Sequence, residues 1–223
     1  DYLLFYLTLV LNFDPTFNKA LFLQANFYQQ LKNYEIAEQI YQKIVITDPL
    51  YLEAQKNIAF NKTKNGNIKE AEKILITLIK SNQDDDTLII SLADFYRINK
   101  QYDKAISKYT DVIKLNNIDN NQLWRVLYMR GICFERNNQW KLAEKGFLYS
   151  LEIEPNTSQV LNYLAYGWIE RNVFIDQSLE MLEKAVQKNP DSHYILDSLA
   201  WAYFKKNDLT KAVDLMEEVI KKA

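Results

Sequence analysis

The sequence predicts an all-α fold, a row of antiparallel helical hairpins stacked as a solenoid, and three observations carry that prediction. Small residues and proline recur at a fixed interval, with Gly131, Ala143 and Pro155 standing 12 residues apart and Ala25, Ala37 and Pro49 repeating the same spacing. A small side chain suits the point where two helices touch, and a proline cannot continue a helix. Polar pairs such as Asn137-Asn138 fall between the two small residues, where a hairpin must turn. The whole chain of 223 residues holds only four prolines and four glycines, a composition for long helices and short turns. Self-similarity of this kind marks a repeat array, in which one hairpin cannot bury its apolar face but stacked neighbours share a core.

In order, residues 1–13 (DYLLFYLTLVLNF) are apolar but fall short of the roughly 20 residues of a membrane-spanning helix, and no basic segment precedes them. Asp14-Pro15 lies 34 residues before Asp48-Pro49, so residues 1–15 read as the second helix of a repeat whose first helix would lie upstream. The chain is therefore expected to be a piece of a longer solenoid, with apolar ends that favour self-association. Six hairpins follow, at about 16–49, 50–83, 84–118, 119–155, 156–190 and 191–223, giving one solenoid domain of about thirteen helices. Their first helices carry Ala25/Tyr28, Ala93/Tyr96, Gly131/Phe134, Ala165/Trp168 and Ala200/Tyr203. Their second helices carry Ala37/Tyr41, Ala71/Leu75, Ala105/Tyr109, Ala143/Phe147, Ser178/Leu182 and Ala212/Met216.

The turns Gly66-Asn67 and Asn207-Asp208 offer a residue tolerant of left-handed backbone and then a short polar cap, whereas Lys32-Asn33 has no good left-handed residue. Gln83 and Ile118 stand where Pro15, Pro49, Pro155 and Pro190 close other units, which predicts softer joints. Ala93 and Gly131 are 38 residues apart, so the stretch Lys114 to Gln122 is a longer surface loop or a hinge. The turn Asn172 to Asp176 must bulge, because 13 residues separate Ala165 from Ser178.

These positions resemble the tetratricopeptide repeat (TPR), with its small eighth residue, aromatic eleventh, alanine twentieth, large apolar twenty-fourth and closing proline. The resemblance implies a right-handed superhelix whose first helices line a concave face, and a protein-binding scaffold or adaptor rather than an enzyme. By register, the candidate partner-binding residues are Lys56, Phe60, Asp94, Arg97, Tyr128, Ile132, Tyr166, Tyr194, Trp201 and Phe204. The carboxylate clamp of chaperone-binding members is not matched, since Phe60 follows Lys56 and Asn57 where an asparagine is required. The last two units look like the closing repeats of long bacterial TPR proteins, some of them exported lipoproteins, which leaves the periplasm or envelope and the cytoplasm both open.

Chemistry is sparse. His193 is the single histidine, at a predicted helix start, and Cys133 is the single cysteine, on a packed helix face. The four glycines are isolated, so no phosphate loop is present. Asp84-Asp85-Asp86 lacks the alternating ligands of a calcium loop and reads as a capping turn. No catalytic residue, metal or cofactor is expected. A net charge of -2 argues against a nucleic-acid partner, and an RNA-reading helical repeat would need a basic groove that Asp94, Glu135 and Asp197 interrupt. The expected partner is a protein or peptide in the groove. The alternative is a self-associating structural module whose groove aromatics pack internally.

Overall fold

The computed structural model describes residues 2–82, 85–115 and 118–222. Among them stand thirteen helices and no strand, and the chain is the all-α hairpin solenoid expected. They are α1 (Tyr2–Phe13), α2 (Asn18–Gln30), α3 (Tyr34–Tyr41), α4 (Tyr51–Lys64), α5 (Ile68–Ser81), α6 (Asp86–Ile98) and α7 (Tyr102–Lys114). Then follow α8 (Asn120–Arg136), α9 (Trp140–Ile153), α10 (Ser158–Glu170), α11 (Ile175–Lys188), α12 (His193–Lys205) and α13 (Leu209–Lys222). The helices fall into two compact units, Asp1–Lys108 and Tyr109–Ala223.

In the first unit, Ala25 and Ala37 are fully buried where α2 meets α3, and Ala71 is buried where α5 meets α4. In the second, Gly131 of α8 faces Gly146 and Phe147 of α9, and a Cβ on Gly131 would stand 2.6 Å from the Phe147 ring, so only glycine admits that ring. Small residues thus set the helix approach, and the large twenty-fourth residues fill the space beside them: Tyr41 and Leu75 in one unit, Phe147 and Leu182 in the other. The first helix, α1, packs by Leu7 and exposes Tyr2, Phe5, Tyr6 and Phe13.

One turn recurs in every hairpin. Lys32, Gly66, Lys100, Asn138 and Asn207 all adopt left-handed backbone, with φ between 58 and 81. The next amide bonds back to the carbonyl five residues earlier: Asn33 to Tyr28, Asn67 to Lys62, Gln101 to Tyr96, Gln139 to Phe134 and Asp208 to Tyr203, each at 2.8–2.9 Å. This is a Schellman closure, and Lys32 shows that the turn holds its geometry without glycine or asparagine. In the fifth hairpin Asn172 and Phe174 are both left-handed, so the bulge expected there is two αL residues around Val173, whose amide still reaches Trp168 O.

One expectation, on the caps, is corrected. Asn33 and Asn67 stand before α3 and α5 but make no capping bond, because their ψ values of 65 and 55 lie outside the extended region from which a capping side chain reaches its amide. Asp85 and Asp119 do cap, accepting from Thr87 N and Gln122 N. Helix α3 ends at Tyr41, earlier than its counterparts, where the β-branched run Ile44-Val45-Ile46-Thr47 disfavours helix and i→i+3 bonds such as Ile44 N to Tyr41 O take over. The Gln83 joint, Asp84, the Asn116-Asn117 part of the candidate hinge, and the end residues Asp1 and Ala223 lie outside the described residues.

Three pairs of successive hairpins are tied by a polar bond in the same register. The eleventh residue of one hairpin donates to the glutamate that follows the twentieth-place alanine of the hairpin before it: Lys62 to Glu38 at 2.9 Å, Tyr96 to Glu72 at 2.7 Å and Trp168 to Glu144 at 2.5 Å. The sixth hairpin departs, since Leu179 replaces the glutamate and Tyr203 donates instead to Glu183, one turn further on, at 2.7 Å.

Candidate functional site

In the first unit, side chains of α4 and α6 with Gln29 of α2 enclose a cleft of ≈ 270 Å³. It brings together Lys56, Phe60 and Asp94 of the expected residues. Arg97 Nη2 pairs with Asp94 at 2.9 Å, and Lys56 pairs with Glu53, so each charge is met within its own helix. Phe60 is 37% exposed, edge-on to Tyr34 at 6.3 Å, with Lys64 Nζ 5.2 Å from its ring.

Below this cleft lies Tyr41, whose role in the site the sequence reading missed. Its fully buried hydroxyl donates to Asn26 Oδ1 and stands 3.2 Å from Gln29 Oε1. Burial pushes its pKa up, with the Asn57 amide opposing, so the hydroxyl keeps its proton. Its residue type gave no distinct signal, since Tyr109 stands at the same place of the third hairpin.

In the second unit, Tyr166 is 42% exposed on α10 and shares a cavity of ≈ 580 Å³ with Glu135, Trp140, Glu170 and Arg171. Partial burial raises the Tyr166 pKa, and the carboxylates of Glu170, Asp197 and Glu135 add to it. The Trp140 ring occupies the place of a missing Cβ at Gly167, which would lie 2.0 Å from it, and Arg171 stacks over that ring at 4.0 Å. Trp140 was also missed, although an isolated glycine within a helix is a signal of close approach.

Trp201 and Phe204 stack at 5.2 Å on α12, and Trp201 Nε1 donates to Glu170 at 2.6 Å. They line an apolar groove of ≈ 540 Å³ with Leu209, Val213, Met216 and Ile220 of α13. Tyr194 is half exposed on the first turn of α12 and lines none of these cavities. Tyr128 and Ile132 require correction. At 7% and 9% exposure they belong to the core, where Tyr128 packs edge-on against Tyr163 at 5.5 Å, because α8 turns that face toward α10.

Among the described residues no group of His, Cys, Asp and Glu gathers as a metal site, and no helix is long and apolar enough to cross a membrane. Cys133 is buried, and His193 is exposed at the first residue of α12.

Two tetratricopeptide-repeat family models match the chain, over residues 172–223 and 19–49. A TPR repeat-containing protein of Pseudomonas aeruginosa is 27% identical over 161 residues, which is 71% of this chain and 26% of that protein. The chain thus spans about a quarter of that relative's length. Among solved structures, PilF of Pseudomonas aeruginosa superposes with a TM-score of 0.73 at 16% identity, covering 92% of this chain and 90% of that one. A tetratricopeptide repeat protein from Parabacteroides merdae gives 0.67 at 17% identity, over 92% and 80%. YrrB, a TPR protein with an unusual peptide-binding site, gives 0.52 at 14% identity, over 97% and 91%. The residue register, the hairpins it folds into and these matches agree on tetratricopeptide repeats, matched by family models over residues 19–49 and 172–223, and on the tetratricopeptide-repeat fold for the chain.

Proposed function

We propose that the chain is a non-catalytic adaptor that holds a protein or peptide segment against the first helices of its hairpins. One observation carries this reading: Phe60, Tyr166, Tyr194, Trp201 and Phe204 project from first helices into solvent although the hairpin cores already hold their own aromatics. Rigid aromatic side chains anchor a partner at low entropic cost. That YrrB, with the same fold, carries a peptide-binding site supports a peptide as the class of ligand. Replacing Tyr166 and Trp201 together by alanine tests it on whichever partner the chain retains in a pull-down. The expected outcome is a loss of about 2 kcal/mol or more of binding with little change in melting temperature. A double variant that binds at full strength removes these residues from the site. One that loses about 3 kcal/mol or more of stability assigns them to packing.

A second reading is favoured by the apolar groove between α12 and α13 and by the exposed rings of α1. Apolar faces of this extent associate in water, so the chain is expected to self-associate with rising concentration. Sedimentation velocity over a wide concentration range checks it, and a monomer throughout excludes it.

A further inference from the structure

The N-terminal cleft has a polar floor that helix packing does not require. Tyr41 fills with its ring the space that Leu75 fills in the next hairpin, and its hydroxyl is an addition to that role. The hydroxyl draws in the amide oxygens of Asn26 and Gln29, from α2, and the Asn57 amide, from α4, opposes the rise in its pKa, as an NH2 presented to the oxygen does. An amide held by its oxygen keeps its NH2 for another partner, and one held by its NH2 keeps its carbonyl. Gln29 is left with a donor and Asn57 with an acceptor, and both side chains line the cleft. A donor and an acceptor fixed side by side complement the C=O and N–H of a peptide chain, which an extended segment leaves unpaired.

The rest of the cleft restricts what that segment carries. Lys56 is paired with Glu53, Arg97 with Asp94, and Lys64 lies over the Phe60 ring, so the charges at the rim are already met by the protein's own groups. Phe60, Leu75, Phe95 and Ile98 wall the remaining space with apolar surface. A charged ligand side chain would lose water there without gaining a free counter-charge, whereas an apolar one gains by burial.

We propose that this cleft holds an extended peptide segment by its main chain, through Gln29 and Asn57, and seats one large uncharged apolar side chain of that segment against Phe60, with Tyr41 as the positioning residue. The proposal rests on the adaptor reading above and adds to it the chemistry of the bound segment.

A phage-displayed library of random linear peptides, panned on the full chain, supplies the probes. Selected peptides are synthesised and titrated against the wild type, Tyr41→Phe, Asn57→Leu, Phe60→Ala and Tyr166→Ala, with a melting curve for each variant. Tyr41→Phe keeps the ring and removes only the hydroxyl, and it is expected to weaken binding by about tenfold, the scale of one or two lost hydrogen bonds, while the melting temperature holds. Methylation of one main-chain nitrogen of the peptide should have the same effect, and alanine at its large apolar residue should mimic Phe60→Ala. Peptides that respond to Tyr166→Ala but not to Tyr41→Phe, Asn57→Leu or backbone methylation overturn the proposal and leave the adaptor reading intact. A library that yields no binder overturns both. If Tyr41→Phe lowers stability as well as affinity, Asn57→Leu decides, and full-strength binding to a stable Asn57→Leu protein overturns the proposal.

Discussion

At the scale of single residues, the hydroxyls of the repeat do more than the rings that carry them. Tyr96 donates to Glu72 and Tyr203 to Glu183, both at 2.7 Å. Burial first and then the Glu72 bond push the Tyr96 pKa up to about 12, and for Tyr203 the Glu183 bond leads and burial adds, again to about 12. A free tyrosine ionises near 10, so the folded values are raised and the protonated forms favour the fold. Their contribution is therefore fully present below pH ~10, and it is lost as pH rises toward about 12, because the unfolded chain releases its protons first. A spectrophotometric titration should show hydroxyls ionising near 12 behind the ordinary tyrosines, and Tyr96→Phe should remove part of that late step. An unchanged late step in Tyr96→Phe would refute the assignment. None of this was legible from residue order, because an aromatic at the eleventh place says nothing of what its polar tip meets.

At the scale of helices and hairpins, far more was legible. Small residues at intervals of 12 marked the crossings, since a close helix contact tolerates only alanine, glycine or serine there, and those residues are buried as the spacing required. Caps were legible only in part: Asp85 caps and Asn67 does not, because capping depends on a backbone angle that side-chain type does not set. The bond between hairpins went unread, although Ala37-Glu38, Ala71-Glu72 and Ala143-Glu144 repeat the same dipeptide. Its partner lies 24 residues on, and single-hairpin reasoning does not look that far. Trp168 is 4% exposed, so its bond to Glu144 is shielded from water and should couple the two hairpins measurably. A double-mutant cycle with Trp168→Phe and Glu144→Gln is expected to give an interaction energy of about 0.5 to 3 kcal/mol in chemical denaturation. Strict additivity of the two changes would show that the bond contributes nothing.

At the scale of the whole chain, the architecture followed from periodicity, whereas the candidate site did not follow from register alone. Register treats every first helix alike, so it could not separate Tyr128 and Ile132, which neighbouring helices cover, from Tyr166 and Trp201, which they leave open. What register does imply is a limited range for each perturbation. Within each unit the packed pairs are helices of one hairpin or of the next, as α8 with α9, α10 with α9 and α10 with α12. Stability in such an array is a sum of local terms, so damage at one crossing should stay near it. Ala143 is fully buried between α8 and α9, and Ala143→Leu should overpack that crossing at a cost of about 1 to 3 kcal/mol. Amide hydrogen exchange should then lose protection in α8, α9 and α10, while α2 to α5 exchange as in the wild type. Equal loss in α2 to α5 would show that the chain unfolds as one cooperative body and that hairpin-by-hairpin reasoning fails for it. Unchanged protection in α8 and α9 would instead place Ala143 away from the crossing to which the repeat assigns it.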